Sequence, residues 1–315
     1  MAALCYPIIA GPTASGKSAL AVSLAKAIGG EVVSADSMQV YGGVHVGTAR
    51  PTAEEMDGVA HHLLGFLSLD DAYSVAAYIE DAHKVFSDIF ARGCTPILCG
   101  GTGLYIQSFM ENRQLLPQSG DPMLREQLLA RAADQGGAVL LDELRQVDPE
   151  TADRLHENDV HRIVRALEVY RTTGQTIAQQ AALSLSQPSP YTPCLFVLNF
   201  RDRDRLYARI DQRVDRMLEH GLIEEAKTVL SRSKDATVLQ AIGYKELLPY
   251  LSGQAALAET VENLKTQTRH YAKRQLSWFR RMQQARMIYV DDYADSSALL
   301  QDVLKQYDQF VKERV

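Results

Sequence analysis

Short apolar runs bounded by turn-forming residues recur along the chain, at Cys5–Ala10, Glu31–Ser34, Pro96–Cys99, Leu195–Phe200 and Met287–Val290. Their length and flanks predict buried strands. Between them, apolar residues recur at helical spacing over Lys17–Ile28, Val75–Ala91 and Leu206–Leu230. Strands alternating with helices predict an α/β fold, a parallel sheet with crossover helices on both faces. From about Gln114 to Gln187 the pattern is helical throughout, with breaks at Gly120-Asp121-Pro122, Gln135-Gly136-Gly137 and Asp148-Pro149. A proline-rich linker, Pro188 to Pro193, closes this stretch. The simplest organisation is a core formed by 1–113 and 190–315, with an all-helical insertion over 114–189. No internal repeat or low-complexity tract interrupts it.

The first strand runs into Gly11-Pro12-Thr13-Ala14-Ser15-Gly16-Lys17-Ser18, which fits G-x-x-x-x-G-K-[ST] without a mismatch. The glycines permit a concave nest of backbone N–H groups, and the following helix adds its positive end. Lys17 supplies a point charge for a terminal phosphate, and the Ser18 hydroxyl can ligate Mg²⁺. The plain alternative is a glycine-rich turn that holds nothing; the strand before it and the amphipathic helix after it favour phosphate. Asp36 follows the second strand, where the carboxyl ends of a parallel sheet form the ligand crevice. A carboxylate there can hold Mg²⁺ or accept a proton, or it can simply make an Asx turn.

Composition qualifies this picture. The net charge is −6, which excludes a generally basic coat for nucleic acid. Yet Asn263–Val290 has no acidic residue. It carries Lys265, Arg269, Lys273, Arg274, Arg280, Arg281 and Arg286, with Tyr271, Trp278 and Phe279 between them. Such a stretch can track phosphates and stack on bases, or be only a solvated face. Arg205, Arg209, Arg213 and Arg216 share one helix face, with Asp211 and Asp215 nearby as salt-bridge partners in the bland reading. Arg162 and Arg165 are paired in the same way on a helix over His161–Tyr170. The apolar N-terminal stretch lacks a basic flank and ends in the glycine loop, so a strand is expected there and not a signal peptide. No run is long enough to span a membrane. Four cysteines without C-x-x-C spacing are expected to be reduced thiols of a cytoplasmic protein. His61 and His62 have no third ligand at metal spacing.

Eight motifs occur in order: the loop Gly11–Ser18, "SADSMQVY" (Ser34–Tyr41), "VGTARP" (Val46–Pro51), "HHL" (His61–Leu63), "GGTGLY" (Gly100–Tyr105), "HRIVRALEVY" (His161–Tyr170), "IGYKE" (Ile242–Glu246) and "TRHYAKRQLSWFRR" (Thr268–Arg281). Together they resemble the bacterial tRNA dimethylallyltransferases, or tRNA isopentenyltransferases, over nearly the whole chain. The resemblance implies a P-loop NTPase-like core with a tRNA-clamping helical insertion, and a monomer. Eukaryotic members often add a C-terminal zinc finger, which is not expected here. It implies transfer of a dimethylallyl group from its diphosphate to N6 of the adenosine 3′ of the anticodon, position 37, in tRNAs reading codons that start with U.

By the same resemblance the loop holds the donor's diphosphate and not ATP, with Mg²⁺ on Ser18. Asp36 becomes the general base, Lys17 the leaving-group cation and Thr102 a residue near the reacting groups. Thr13 contacts the donor, and an arginine of the Arg209–Arg213 stretch reaches the diphosphate, Arg209 first and Arg213 second. The implied tRNA contacts are Asp36, Ser37, Met38, Gln39, Thr102, Arg125, His161, Arg162, Ile163, Val164, Arg165, Gln240, Gly243, Tyr244, Lys245, Lys273, Arg274, Arg280 and Arg281. His61 and His62 become structural or channel-lining. Departures are few: Ser18 stands where many relatives have threonine, Arg50 where lysine is common, and Gln240 where arginine often stands. Three rivals remain. A small-molecule kinase leaves the basic stretch unexplained. A prenyltransferase acting on adenine nucleotides needs no RNA clamp. A non-catalytic RNA-binding protein has no use for an intact loop and Asp36.

Overall fold

The computed structural model describes residues 4–114, 121–185, 187–232 and 237–314. They divide into two compact units, one formed by 1–110 and 190–315 and the other by 111–189.

The larger unit is built on a six-stranded sheet, all parallel, in the order β3-β2-β4-β1-β5-β6. The strands are β1 (Leu4–Ala10), β2 (Gly30–Ser34), β3 (His61–His62), β4 (Thr95–Gly100), β5 (Tyr191–Asn199) and β6 (Arg286–Tyr289). Before the smaller unit come α1 (Lys17–Ile28), α2 (Ala53–Met56), α3 (Val75–Ala91) and α4 (Gly103–Met110). After it come α10 (Arg203–Glu219), α11 (Leu222–Arg232), α12 (Leu248–Leu251), α13 (Leu257–Phe279) and α14 (Ser296–Lys312). Successive strand residues serve opposite layers. Ile9, Ile97, Phe196 and Leu198 pack with Leu24 of α1 and Val303 and Phe310 of α14. Ile8, Leu98 and Val197 pack with Phe86 and Ile89 of α3, Phe109 of α4 and Phe279 of α13. After β1 the chain steps to β2 and β3 on one side; after β4 it crosses to β5 and β6 on the other. The loop that follows β1 therefore lies at the reversal of strand order, where ligands of such sheets bind.

The expected elements appear with three corrections. The helix read over Leu206–Leu230 is two helices, α10 and α11, because Gly221 adopts φ +93° and turns the chain between them. The linker read at Pro188–Pro193 overlaps β5, which starts at Tyr191 and pairs Pro193 with Tyr6. Since β6 pairs only from Phe196 onward, this stretch is an edge, where a proline without an N–H is tolerated. The two-residue strand β3 was too short to show as a pattern. His62 Nε2 there bonds Glu31 Oε2 at 2.7 Å and His61 Nδ1 bonds Val59 O at 2.9 Å.

The smaller unit contains α5 (Pro122–Gln135), α6 (Gly137–Val147), α7 (Pro149–Ala152), α8 (Val160–Thr173) and α9 (Ile177–Ser184), with no strand among its described residues. Its core joins Leu128, Leu140, Leu141, Leu144, Ile163, Val164 and Leu167. Asp121 caps α5 with Pro122 in the first turn, as the break read there implies, and Gly174 ends α8 in the left-handed conformation.

One carboxylate fastens the loop that carries "VGTARP". Glu225 of α11 accepts the N–H groups of His45, Val46 and Gly47 at 2.7, 2.9 and 2.7 Å, and the Tyr244 hydroxyl at 2.9 Å. A Cβ on Gly47 would stand 2.8 Å from the Tyr244 ring, so this ring lies directly on the loop backbone. Replacing Glu225 by Ala leaves these donors without their acceptor and is expected to cost about 2–4 kcal/mol. Urea unfolding of the variant, at an unchanged m-value, measures the loss.

Candidate active site

The glycine loop leaves β1 with Gly11 at φ +143° and reaches α1 through Ala14 at φ +61° and Gly16 at φ +92°. No side chain caps α1, so its N-terminal N–H groups are left for a ligand. Lys17 Nζ donates to Pro12 O at 2.8 Å across the loop. The Ser15 N–H turns back to Pro12 O at 3.3 Å, and its buried hydroxyl has no partner among the described residues.

Against this loop opens a cavity of about 310 Å³, lined wholly by the larger unit. Thr13, Lys17 and Ser18 contribute from the loop and α1; Asp36, Ser37, Met38 and Gln39 follow β2. Arg213, Gly243, Lys245, Tyr271 and Arg274 line the same space. Lys17, Arg213, Lys245 and Arg274 stand against one carboxylate, Asp36. Val32, Leu64, Met217, Ile242 and Leu264 add apolar side chains to the lining.

The residues after β2 are held tightly. Asp36 Oδ1 accepts the Met38 N–H at 2.9 Å, so the Asx turn and a place in the cavity wall hold together. Thr102 does not line the cavity; its Oγ1 accepts the Ser37 N–H at 3.0 Å and so orients the segment that carries Asp36. The Gln39 amide donates to Thr48 O and Ala49 O at 3.2 and 3.3 Å, tying the "TARP" turn to the site.

The arginine face resolves into different duties. Arg209 and Arg213 each precede a buried residue of α10, Ile210 and Val214, and so sit at the rim of its apolar stripe. Arg213, the second choice from sequence, is the one in the cavity wall, and its Nη2 lies 3.5 Å from Thr48 O. Arg209, the first choice, braces the loop from outside, donating Nε–H to Ala14 O at 2.8 Å. Asp211 and Asp215 on the same helix pair with Arg269 and Lys265 of α13, at 2.8 and 2.7 Å. Part of the acid-free stretch is thereby neutralised by α10. Lys273, Arg274, Arg280 and Arg281 have no ion-pair partner among the described residues; Lys273 lies over Tyr207, Arg274 over Tyr271 and Arg281 over Trp278.

Three residues expected at an RNA surface are buried instead. Ile163 and Val164 are core residues of the smaller unit, because α8 turns its apolar face inward at those positions. Tyr244 is fully buried under the loop at Gly47. His161 and Arg162 are exposed on α8. Arg125 and Arg165 both donate to Oε2 of the fully buried Glu168, at 2.9 and 3.0 Å. The side chain of Gln240 lies outside the described residues.

Lys17 keeps part of its surface, but its amine is enclosed; burial lowers its pKa to about 8, with Arg213 also lowering it and Cys99 and Asp36 opposing. Burial likewise lowers Arg213 and pushes the Cys99 thiol to about 11. A cation whose free-state pKa is depressed gains charge when an anion binds. Affinity for a phosphate-bearing anion, probed with inorganic diphosphate, is therefore expected to be full below about pH 8 and to fall as pH rises through that value. Calorimetric titration of Lys17→Arg beside the wild type isolates the effect, because arginine stays charged and the ratio of affinities removes the titration of diphosphate itself.

Residues 39–282 match the family model described as IPP transferase. A tRNA dimethylallyltransferase of Thermoanaerobacter sp. is 45% identical over 301 residues, 95% of this chain and 96% of that protein. The solved full-length tRNA isopentenylpyrophosphate transferase of Bacillus halodurans shares 39% identity and a TM-score of 0.73, covering 98% of this chain and 97% of its own. A eukaryotic dimethylallyltransferase, solved acting on tRNA, shares 28% identity and a TM-score of 0.81 over 99% of this chain and 80% of its own. With the loop, the carboxylate after β2 and the cavity between them in place, the chain belongs to the IPP transferase family.

Proposed function

We propose that this protein transfers a dimethylallyl group from dimethylallyl diphosphate to N6 of the adenosine at position 37 of tRNAs reading codons that start with U, giving N6-isopentenyladenosine and diphosphate. The observation that carries the reading is one cavity whose lining combines the glycine loop, a single carboxylate, several cations and apolar side chains.

In this reading the loop N–H groups, Lys17 and Arg213 stabilise the diphosphate as the allylic C–O bond breaks and its electron pair leaves with oxygen. Leu64, Met217 and Ile242 surround the allylic carbons and keep water from them. The N6 lone pair forms the new C–N bond, and Asp36 takes the proton that N6 loses. The Ser18 hydroxyl in the cavity lining is a hard oxygen donor that suits Mg²⁺ completed by water and diphosphate oxygens. Mg²⁺ bound there would supply further charge for the leaving group.

The acceptor reading rests on cations and aromatics of α13. Lys273, Arg274, Arg280 and Arg281 have no carboxylate partner among the described residues and would track RNA phosphates; Lys245 and Arg274 bring that charge into the cavity. His161, Arg162, Arg165 and Arg125 extend the reading to the smaller unit, as the clamp on the anticodon stem-loop. The base must leave the stack to meet Asp36, which an anticodon loop permits at a cost of a few kcal/mol. The reading includes a monomer working in the cytoplasm.

Labelled dimethylallyl diphosphate with Mg²⁺, offered in parallel to unmodified tRNA, AMP and ATP, tests the assignment. Label in tRNA alone is the expected result; label in a free nucleotide would move the activity to nucleotide prenylation. Asp36→Asn is expected to lower the single-turnover rate by about 10²–10⁴-fold, far more than it lowers tRNA affinity, read by single-turnover kinetics and filter binding. Undiminished turnover would remove Asp36 as the base.

A further inference from the structure

Gln275 lies on α13, within the basic stretch, yet it is only 6% exposed and points at the glycine loop. Its Oε1 accepts the Thr13 N–H at 2.9 Å, and its Nε2 donates to Gly101 O at 2.9 Å. One amide thus joins the loops that follow β1 and β4. The fit is close: a Cβ on Gly101 would stand 2.3 Å from Nε2.

The loop needs support at this point. Ala14, next to Thr13, has φ +61°, which costs an L-residue with a Cβ roughly 1 kcal/mol. The loop's own bond there, Ser15 N–H to Pro12 O, is long at 3.3 Å. The conformation is held instead from two other helices, by Gln275 before Ala14 and by Arg209 at Ala14 O. The Thr13 N–H is also consumed, which leaves anion binding to the remaining N–H groups.

We infer that Gln275 is a positioning residue for the donor diphosphate: a clasp from α13 that holds the glycine loop in its anion-binding shape. The inference rests on the diphosphate reading of the loop. Only a side chain with an acceptor and a donor at this reach fits. Met fills the space with neither group. Asn is one methylene short. Ionised Glu would set an acceptor against Gly101 O, whereas protonated Glu restores one acceptor and one donor.

The test is calorimetric titration of inorganic diphosphate with Mg²⁺ into the full-length chain as wild type, Gln275→Met and Gln275→Glu, with tRNA affinity measured beside it. Gln275→Met is expected to bind diphosphate about tenfold more weakly while tRNA affinity is unchanged. Gln275→Glu should be at least as weak near neutral pH and recover relative to wild type as pH falls from about 7.5 to about 5.5 and the carboxyl protonates. A merely structural role would not produce that recovery. Wild-type affinity in Gln275→Met, or no recovery in Gln275→Glu, overturns the clasp. If Gln275→Met does not fold, the pH series of Gln275→Glu decides alone. Failure of the wild type itself to bind diphosphate overturns the reading beneath it, and the clasp with it.

Discussion

The chain has almost no room where β1 ends. A Cβ on Gly11 would lie 2.7 Å from Leu198 O and 3.2 Å from Leu198 Cβ, because β5 runs beside the exit of the central strand. Only glycine takes φ +143° in that gap, and only then can the loop roll over the strand end and start α1 above it. The same kind of constraint recurs one strand away. A Cβ on Gly100 would meet Ala35 O at 2.2 Å, so the exits of β2 and β4 lie against each other. That contact is what lets Thr102 reach the Ser37 N–H and orient Asp36. Sterics at strand ends thus set the distance between the anion cradle and the carboxylate.

Charge is organised by the same packing. The chain as a whole is acidic, with a net charge of −6, but its cavity is cationic. Acidic residues are spent on structure: Asp211 and Asp215 tie α10 to α13, Glu225 ties the "VGTARP" loop, and Glu168 holds Arg125 and Arg165. Asp36 alone is left in the cavity with Lys17, Arg213, Lys245 and Arg274. Burial disfavours the charge of the enclosed Lys17 and lowers its pKa to about 8, a penalty that a bound anion would offset. Four cations thus share the cavity lining with a single carboxylate.

Motif and periodicity were enough for much of this. The glycine loop, its flanking strand and helix, Asp36 after β2 and the helical stretch between two sheet-forming segments all depend on neighbours close in sequence. So does the ordered set of motifs that points to the family. What sequence periodicity could not reach depends on partners far apart in the chain. Gly221 lies inside the helical pattern read over Leu206–Leu230, yet it turns the chain at φ +93° and lets α11 pack against Val40, Tyr41 and Tyr244. Ile163, Val164 and Tyr244 stand within motifs read as RNA contacts, and the fold buries them. Arg209 and Arg213 are near-equivalent on a helical wheel, but in the fold one bonds Ala14 O and the other lines the cavity. Glu225 and Gln275 carry no local signal, since each acts across nearly two hundred residues or more. Local sequence determined the glycine loop, the place of Asp36 after β2 and the motifs that mark the family; tertiary structure alone decided which distant side chains hold them in register, because hydrogen bonds and steric gaps between strand ends exist only after the sheet has formed.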